Sequence, residues 1–284
     1  PTAHKLRWLD ALAASGLREI EVCSFVPPHL MPQMADAAEV VRHALIHPGL
    51  TVMALVPNLK GAQAALAAGV HKLTLPVSVS HAHSLANVRQ TPDDMVAVLR
   101  QVTALRDERY PGVGIEAGLS TAFGCTLQGA VSEDEVIRLA VACAEAGANE
   151  VGLSDTTGMA NPAQTRRLFT RLRAELGSKA GSAHMHNTRG LGLANCLAAY
   201  DVGVRVFDGS QGGLGGCPHA PGASGNVVTE DLVFMFEAMG VHTGVDLDKL
   251  VGARAALKAG LPGEPLYGML PEAGLPLGWA QRTL

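Results

Sequence analysis

Two histidines in the stretch SAHMHN (182–187) have a spacing that could hold a metal ion. Side chains at positions i and i+2 of a β-strand lie on the same face, so the imidazoles of His184 and His186 could share one cation. The alternative is a pair of core histidines, each satisfied by its own hydrogen bond. Two neutral nitrogens combined with oxygen ligands suit Mg²⁺, Mn²⁺ or Zn²⁺, and the sequence does not choose among them.

Three other polar residues could complete such a site. Asn226 offers an amide oxygen, although it could instead be the N-cap of a helix that begins near residue 228. Asp155 could be a ligand, a general base, an orienting group or an N-cap, with Asn161-Pro162 the better helix start. Glu21 lies inside a predicted strand, where an unpaired buried carboxylate is costly. It therefore requires a cationic or hydrogen-bonding partner, which the sequence does not identify.

A single thiol lies in a segment that is rich in glycine. Residues 212–226 read GGLGGCPHAPGASGN and include six glycines. Ordering glycine costs backbone entropy, so this stretch is either a linker or a loop that needs unusual dihedral angles. In a loop beside the metal, the thiol of Cys217 could donate or accept a proton. An incidental loop cysteine is an equally good interpretation.

The bulk composition excludes several classes of protein. Of the 284 residues, 48% are apolar and 17% are charged, which argues against disorder. The formal net charge of −4 does not favour nucleic-acid binding, and no apolar run approaches the roughly 20 residues of a membrane span. Five scattered cysteines without C-x-x-C spacing are typical of a reducing compartment. We therefore predict a cytoplasmic bacterial protein; because the chain begins at Pro1 without an initiator methionine, the mitochondrial matrix is the alternative.

Short β-branched runs alternate with longer stretches rich in Ala and Leu. The predicted strands cover residues 19–25, 51–57, 72–78, 114–120, 150–156, 182–187 and 204–210. The predicted helices cover residues 33–46, 60–69, 92–108, 132–147, 161–176 and 189–202, and a further helix opens the chain. Strands that alternate with helices indicate parallel βαβ units.

This alternation predicts a (β/α)₈ TIM barrel. A helix before the first visible strand requires an earlier strand to feed it, so we expect an eighth strand that is absent from the chain and precedes Pro1. An open doubly wound sheet is the alternative, but no glycine-rich phosphate turn follows an early strand. We expect a single domain over residues 1–284, with the barrel to about residue 240 and a C-terminal helical extension over 241–284.

The candidate residues fall at one end of such a barrel. Active sites of TIM barrels lie at the carboxyl ends of the strands. Asp155 lies at the end of its predicted strand, and His184 and His186 lie on the next one. Strand 204–210 ends with Asp208-Gly209-Ser210, directly before the glycine-rich segment. We therefore expect these side chains to meet at one rim.

Six stretches of the chain together resemble the 3-hydroxy-3-methylglutaryl-CoA lyase family of metal-dependent TIM-barrel lyases and synthases. The similarity spans nearly the whole chain with order and spacing kept, and the glycine-rich stretch is highly specific. The stretches are SFVPPHLMPQMAD (24–36), VPNLKGAQAALAAG (56–69), GLSDTTG (152–158), HMHNTRGLGLAN (184–195), GGLGGCPHAPGASGN (212–226) and TEDLVFMFEAMGVHTGVDL (229–247).

The resemblance implies a carbon–carbon lyase that splits a 3-hydroxyacyl-CoA by a retro-Claisen reaction. For 3-hydroxy-3-methylglutaryl-CoA the products are acetyl-CoA and acetoacetate. The implied partners are an acyl-CoA substrate, a divalent cation (Mg²⁺ or Mn²⁺, with Zn²⁺ as an alternative) and a second copy of the chain in a homodimer. Neither nucleic acid nor a membrane is an expected partner.

The resemblance also assigns roles to individual residues. His184, His186 and Asn226 match metal ligands, and Cys217 matches the catalytic cysteine of the glycine loop. Two acidic residues match the catalytic centre, namely Asp155 and Glu21. Either Asp155 or a histidine such as His184 would remove the hydroxyl proton, and the thiol would then protonate the thioester enolate. The glycines would let the loop close over the substrate.

The chain departs from the family's pattern in three places. The family's first strand carries an Arg-Asp pair in a P-R-D-G-L-Q type motif, and the chain starts after it; that Arg would be the natural partner of Glu21. The stretch 75–90 follows the family's S-x-S-E-x-H-x-x-x-N pattern loosely, with His81 near the expected acidic position. Asn187 stands where many members have Asp. The last two departures could change the acyl-chain preference.

Other functions stay open at this point. A condensing synthase of the same superfamily commonly has H-x-H-N-D and a G-E-R-x-G-N loop, whereas this chain has HMHNTRG and a loop with cysteine. A lyase for a longer 3-hydroxy-3-alkylglutaryl-CoA is a second possibility, and a catalytically silent scaffold is a third. A hydrolase or isomerase could use the same rim, because fold does not determine function.

Overall fold

The computed structural model describes residues 1–215 and 225–279. Its seven strands form one sheet in which each strand pairs in parallel with the next strand along the chain. The strands are β1 (Glu19–Ser24), β2 (Thr51–Leu55), β3 (Lys72–Ser78), β4 (Gly114–Ser120), β5 (Glu150–Ser154), β6 (Ala180–His184) and β7 (Phe207–Asp208). An unbroken sequential order with helical crossovers belongs to the TIM barrel, since a doubly wound sheet reverses its strand order. The predicted fold class is therefore confirmed.

Helices follow the strands in the predicted alternation. They are α1 (Thr2–Ala14), α2 (Ala37–Ala44), α3 (Leu59–Ala68), α4 (His81–Val88), α5 (Pro92–Arg109), α6 (Glu133–Glu145), α7 (Pro162–Leu176), α8 (Gly192–Asp201), α9 (Thr229–Ala238), α10 (Leu247–Gly252), α11 (Arg254–Gly260) and α12 (Met269–Ala273). The sequence analysis missed α4 because it is short and rich in His and Ser. Ser80 caps it by accepting a hydrogen bond from the His83 amide. Among the described residues no helix is long and apolar enough to cross a membrane.

Five predicted strands end one to three residues earlier than expected, and the last two of them do so for a common reason. The strand predicted over 182–187 stops at His184, and the strand predicted over 204–210 shrinks to two residues. The backbone of both stretches pairs instead with the segment that leads into α9. His186 forms an antiparallel bridge with Asn226, and Ser210 forms a parallel bridge with Val228. A segment distant in sequence therefore takes the hydrogen bonds that a longer strand would have used.

A large apolar core fills the barrel and the space beneath its helices. Its largest fully buried side chains include Leu73, Leu75, Ile115, Leu119 and Leu153 of the strands and Met95, Leu99, Leu139, Leu168 and Phe169 of the helices. A second apolar cluster joins α1 and α9 to the C-terminal helices through Leu12, Val233, Leu247 and Leu250. The residues after α9 thus pack on the outer helical layer.

A charged cluster lies at the amino ends of the strands, opposite the predicted active-site rim. The ammonium group of Lys72, the first residue of β3, lies 2.9 Å from carboxylate oxygens of Glu19 and Glu116 and 2.8 Å from Glu150. Glu116 also accepts a hydrogen bond from Ser182. Desolvation raises the pKa of Glu116, and the charge of Lys72 offsets this only in part. The buried carboxylate therefore depends on Lys72 to remain ionised.

We expect Lys72→Met to destabilise the protein by about 3 kcal/mol at pH 7.5, because removing one partner of a buried ion pair leaves the other charge uncompensated. Urea unfolding measures the change. The loss of stability is expected to become smaller as the pH is lowered, because a carboxyl group with a raised pKa becomes neutral at a higher pH than an ordinary one and then no longer needs the charge of Lys72. Lys60→Met, at an exposed position on α3, is the matched control. Failure of Glu116→Gln to recover stability in the Lys72→Met background would contradict this account.

Candidate active site

The two histidines meet at the carboxyl end of β6. His184 is the last residue of β6, His186 follows two residues later, and their Nε2 atoms lie 3.2 Å apart. Two nitrogen ligands at 2.0–2.1 Å from one tetrahedral ion are about 3.4 Å apart. The imidazole planes are inclined by 60°, so the rings do not stack. The strand ends earlier than predicted, but the two nitrogens occupy positions from which they could hold one ion.

Asn226 lies next to this histidine pair. It bridges His186 across two antiparallel segments, and the Val227 amide donates to the Met185 carbonyl at 2.9 Å. The Asn226 Nδ2 donates to the Leu214 carbonyl at 2.8 Å, whereas its Oδ1 is buried and has no hydrogen-bond partner among the described residues. The N-cap of α9 is Val228, so the N-cap interpretation of Asn226 is wrong. A buried amide oxygen without a partner is costly, and a bound cation would satisfy it.

Asp208 faces the other side of the His184 ring. Its Oδ2 lies 3.6 Å from Nδ1 of His184, and it is the last residue of β7. Desolvation lowers the pKa of His184, but the carboxylates of Asp208, Glu21 and Glu116 outweigh it and leave that pKa above its ordinary value. A carboxylate behind one ring nitrogen orients the other nitrogen toward the site. The sequence predicted that Asp208 lies at the rim but gave it no role. Its contact with Nδ1 of His184 identifies it as the residue that orients this ring.

Asp155 follows β5 directly and presents one free carboxylate oxygen. Its Oδ1 accepts hydrogen bonds from the amides of Met159 and Ala160 at 2.8 and 3.1 Å, whereas Oδ2 is buried without a partner among the described residues. The N-cap of α7 is Asn161, so Asp155 does not cap that helix. Desolvation by burial raises the pKa of Asp155 to about 6, against the smaller lowering effect of the two amides. Such a group is a proton acceptor poised close to neutrality.

Arg189 is a neighbour of Asp155 that the sequence analysis did not single out. Its guanidinium donates to the carbonyls of Thr157 and Gly158 at 3.0 and 2.9 Å. These bonds hold the turn after β5. The positive charge of Arg189 also offsets a small part of the rise that burial causes in the pKa of Asp155. The sequence signal that could have identified Arg189 is its position three residues after His186, in HMHNTRG.

Glu21 lies on β1, the first of the described strands. Desolvation raises the pKa of Glu21 to about 7, together with the nearby charges of Asp208 and Glu116. The described residues place no salt-bridge partner at Glu21; His184 is the cationic neighbour that lowers its pKa. Among the described residues, the cationic or hydrogen-bonding partner that the sequence requires is represented by Thr74 and His184, both of which lower the pKa of Glu21.

The predicted catalytic thiol, Cys217, lies outside the described residues. Four other cysteines are free and buried: Cys23, Cys125, Cys143 and Cys196. Burial raises the pKa of three of them, Cys23, Cys143 and Cys196, to about 12. Thiols of that kind are protonated at neutral pH and unreactive. None of these three has the properties of a catalytic proton carrier.

The start of the glycine-rich segment is anchored by a buried ion pair. The amide of Gly212 donates to both carboxylate oxygens of Glu230, at 3.2 and 3.1 Å, and Glu230 lies 2.7 Å from the Arg254 guanidinium. Gly212 and Gly213 have φ of 65° and 68°, a left-handed backbone that favours glycine. The chain thereby turns sharply just before the Leu214 carbonyl that holds Asn226.

The two departures near the histidine pair and α4 have structural explanations. Oδ1 of Asn187 accepts the amide of Gly192 at 3.1 Å, at the beginning of α8, so the amide closes a turn. His81 is the first residue of α4 and is exposed. Behind it, the Nδ1 atom of the buried His83 lies 2.8 Å from the Ser78 hydroxyl. The histidine of this helix that is buried and hydrogen-bonded is therefore His83.

Comparison with known proteins identifies relatives over most of the chain. Residues 1–257 match the family model described as HMGL-like. The chain is 40% identical to the hydroxymethylglutaryl-CoA lyase YngG of Bacillus subtilis over 93% of this chain and 88% of that protein. It is 40% identical to the 3-hydroxy-3-isohexenylglutaryl-CoA/hydroxy-methylglutaryl-CoA lyase of Pseudomonas aeruginosa over 88% of this chain and 83% of that protein.

A solved structure resembles the whole chain. It is an HMG-CoA lyase from Acinetobacter baumannii in complex with coenzyme A and 3-methylmalate, with a TM-score of 0.92 and 39% identity. The match covers 100% of this chain and 92% of that one.

Proposed function

The chain belongs to the HMGL-like family, and on that premise we propose that it cleaves 3-hydroxy-3-methylglutaryl-CoA to acetyl-CoA and acetoacetate. One observation carries the proposal. The two Nε2 atoms lie 3.2 Å apart at the carboxyl end of β6, Asp155 follows the neighbouring strand β5, and Asn226 bridges His186 from the segment before α9. Among the described residues, Oδ1 of Asn226 and Oδ2 of Asp155 have no hydrogen-bond partner. This arrangement joins a set of cation ligands to a proton acceptor, which is what a retro-Claisen cleavage requires.

His184, His186 and Asn226 fit a divalent cation, which we propose to be Mg²⁺ or Mn²⁺, with Zn²⁺ as the alternative. When bound, the cation supplies electrophilic polarisation of the substrate oxygens. The fit rests on the Asn226 amide: its Nδ2 is engaged by Leu214, so the orientation of Oδ1 is already set. Asp208 gives similar support to the ring of His184.

The proton movements fall to Asp155 and to the thiol. Oδ2 of Asp155 takes the proton of the substrate 3-hydroxyl as the bond between C2 and C3 breaks. The electrons of that bond move to C2, so that C3 becomes the ketone of acetoacetate and C2 becomes the thioester enolate. Cys217, in the role that the resemblance assigns to it, returns a proton to C2 and completes acetyl-CoA. His184 is the alternative proton acceptor.

A lyase for a longer 3-hydroxy-3-alkylglutaryl-CoA is the second candidate. The relative from Pseudomonas aeruginosa is named for an isohexenyl substrate as well as for the methyl one, at 40% identity. The loosely matching stretch 75–90, which includes α4, is the part of this chain that we propose to influence the alkyl group. Assembly as a homodimer and a cytoplasmic location are further proposals, and sedimentation of the purified protein tests the first.

A coupled assay for acetyl-CoA on the purified protein tests the function. The substrates are the methyl and isohexenyl forms of 3-hydroxy-3-alkylglutaryl-CoA. We expect turnover with at least one of them, and no condensation of acetyl-CoA with 2-oxo acids. Absence of turnover with both substrates, in protein that carries the cation, would refute the proposal and favour the scaffold interpretation.

Removal of the cation is expected to lower turnover by about a hundredfold, because charge that develops on the substrate oxygens would lose its electrophilic partner. EDTA treatment followed by gel filtration prepares the metal-free protein. Addition of Mg²⁺ or Mn²⁺ is expected to restore the rate, and the order of effectiveness identifies the better cofactor. A rate that does not respond to chelation and readdition would contradict the assignment of the ligands.

A further inference from the structure

A second group of potential metal ligands lies on the outer helical layer. Oδ1 of Asp10 is 2.6 Å from Nε2 of His43 and 2.9 Å from Nε2 of His47. All three ligand atoms lie within 4.8 Å of one another, and no other group of three His, Cys, Asp or Glu side chains in residues 1–215 and 225–279 is as close. We call Asp10, His43 and His47 the α1–α2 cluster. The proposed function does not use it.

The cluster lies at the end of the barrel opposite the active site. Helix α2 returns the chain from the end of β1 to the start of β2 at Thr51, so its last turn lies beside the amino ends of the strands. His43 is in that last turn, and His47 comes just after it. The histidine pair at the end of β6 lies at the other end of the barrel. An ion on the α1–α2 cluster would therefore be independent of the catalytic cation.

The local backbone explains why the two imidazoles converge. His43 and His47 are four residues apart, the spacing that places two side chains on one face of a helix. Helical geometry continues past α2, since the amide of His47 bonds to the Ala44 carbonyl at 3.2 Å. The rings are inclined by 71° with centroids 5.8 Å apart, so they lie edge to face and direct both Nε2 atoms at the same carboxylate oxygen.

Helix α1 supplies the third ligand from a fixed position. Near its amino end, Lys5 forms a 2.6 Å ion pair with Asp36, and Thr2 donates to the same carboxylate at 2.8 Å. Asp36 directly precedes α2, so the two helices are fastened there. Asp10 lies further along α1, level with the end of α2. Three ligands from two anchored helices form a partly preorganised site.

The donor set selects the class of ion. Two neutral imidazoles and one carboxylate suit Zn²⁺ and similar transition metals, whereas Mg²⁺ and Ca²⁺ prefer oxygen ligands. Ligand atoms around tetrahedral zinc are about 3.3 Å apart, so the atoms must separate by roughly half an ångström. The side chains can move, because His43 and His47 are each 24% exposed and Asp10 is 45% exposed. Solvent also has access for a water ligand in the fourth position.

We propose that Asp10, His43 and His47 bind one Zn²⁺-class ion that fastens α1 to α2. In its absence the two imidazoles donate hydrogen bonds to the same carboxylate oxygen. Binding requires each neutral imidazole to present an unprotonated Nε2, so the proton of each ring moves to Nδ1, and a proton is released to solvent only from a ring that was protonated on both nitrogens. The ion then joins the first helix of the chain to the wall of the barrel by three protein ligands.

Calorimetric titration with ZnCl₂ tests the proposal on the His184→Ala variant, which lacks a proposed ligand of the active-site cation. We expect about one equivalent of Zn²⁺ to bind to the α1–α2 cluster of this variant. The further substitution His47→Ala is expected to weaken that binding at least a hundredfold. Asp10→Asn is expected to weaken it about tenfold, since the amide keeps a ligand oxygen but loses the charge. Co²⁺ in place of zinc is expected to give visible d–d absorption that the His47→Ala change removes.

The matched control is His242→Ala, an exposed histidine after α9, which is expected to bind zinc like its parent. Thermal unfolding supplies a second measurement: in the His184→Ala background, added Zn²⁺ is expected to raise the Tm, and the further change His47→Ala is expected to remove that effect. Equal zinc binding with and without His47, or binding only at millimolar zinc, would overturn the proposal. Lyase turnover of His47→Ala at saturating Mg²⁺ is expected to be unchanged, so the result is separable from the proposed function.

Discussion

Replacement of His184 by alanine is expected to lower turnover by at least a thousandfold. The side chain contributes one of the two Nε2 atoms that lie 3.2 Å apart, and Asp208 supports its other ring nitrogen. Loss of the imidazole removes a cation ligand and one candidate proton acceptor in a single step. The coupled acetyl-CoA assay measures the rate, and metal analysis of the dialysed protein measures the retained cation.

The same variant separates a catalytic role from a structural one. His184 is partly exposed, with 32% of its side chain accessible, so its truncation leaves no large cavity. We expect the free energy of unfolding, measured with urea, to change by less than about 1 kcal/mol. His242→Ala is the control for the loss of an imidazole elsewhere. A His184→Ala protein that folds and keeps wild-type turnover would show that the role assigned to this residue is wrong.

Asp155→Asn is expected to reduce kcat by about a thousandfold, within the range found for loss of a general base. The substitution is nearly isosteric, and the asparagine oxygen can still accept the amides of Met159 and Ala160. What it removes is the proton-accepting Oδ2, which is buried and has no partner among the described residues. The effect is therefore expected in kcat, with a smaller change in KM.

The pH profile tests the same assignment independently. Burial raises the pKa of Asp155 to about 6, so the group is protonated and inactive as a base below that pH and ionised above it. Turnover of the wild-type protein is expected to rise with pH to a plateau, with a midpoint at or below about 6, because a bound cation favours the ionised form. Asp155→Asn is expected to lose this limb of the profile. An unchanged limb in the variant would assign the proton transfer to another group, with His184 the first candidate.

The fold was predictable because its signals are local. Alternating β-branched and Ala/Leu-rich stretches reproduced strands β3 and β4 at their observed bounds and the other strands with shifts at their ends. The errors at β6 and β7 share one physical cause. At β6 and β7 the hydrogen bonds of the last predicted residues go to Asn226 and Val228, and no local pattern reports a partner about twenty to forty residues away.

The candidate site also has a part that was predictable from the sequence and a part that was not. The types and spacing of His184, His186, Asp155 and Asn226 were readable, and the resemblance to a lyase family gave each a role. The sequence did not identify the contribution of Asp208, which depends on a contact between two strands. It also missed Arg189 and the anchoring of Gly212 by Glu230, since both act through bonds to backbone groups.

The sequence by itself determined the order of strands and helices, the family and the residues available for chemistry. Each of these is written in side-chain type and short-range periodicity, which the chain carries before it folds. The tertiary structure alone decided which polar atoms are left without partners and how far burial raises the pKa values of Asp155 and Glu21. Those properties depend on distance and desolvation, and they arise only when segments remote in the chain are packed together.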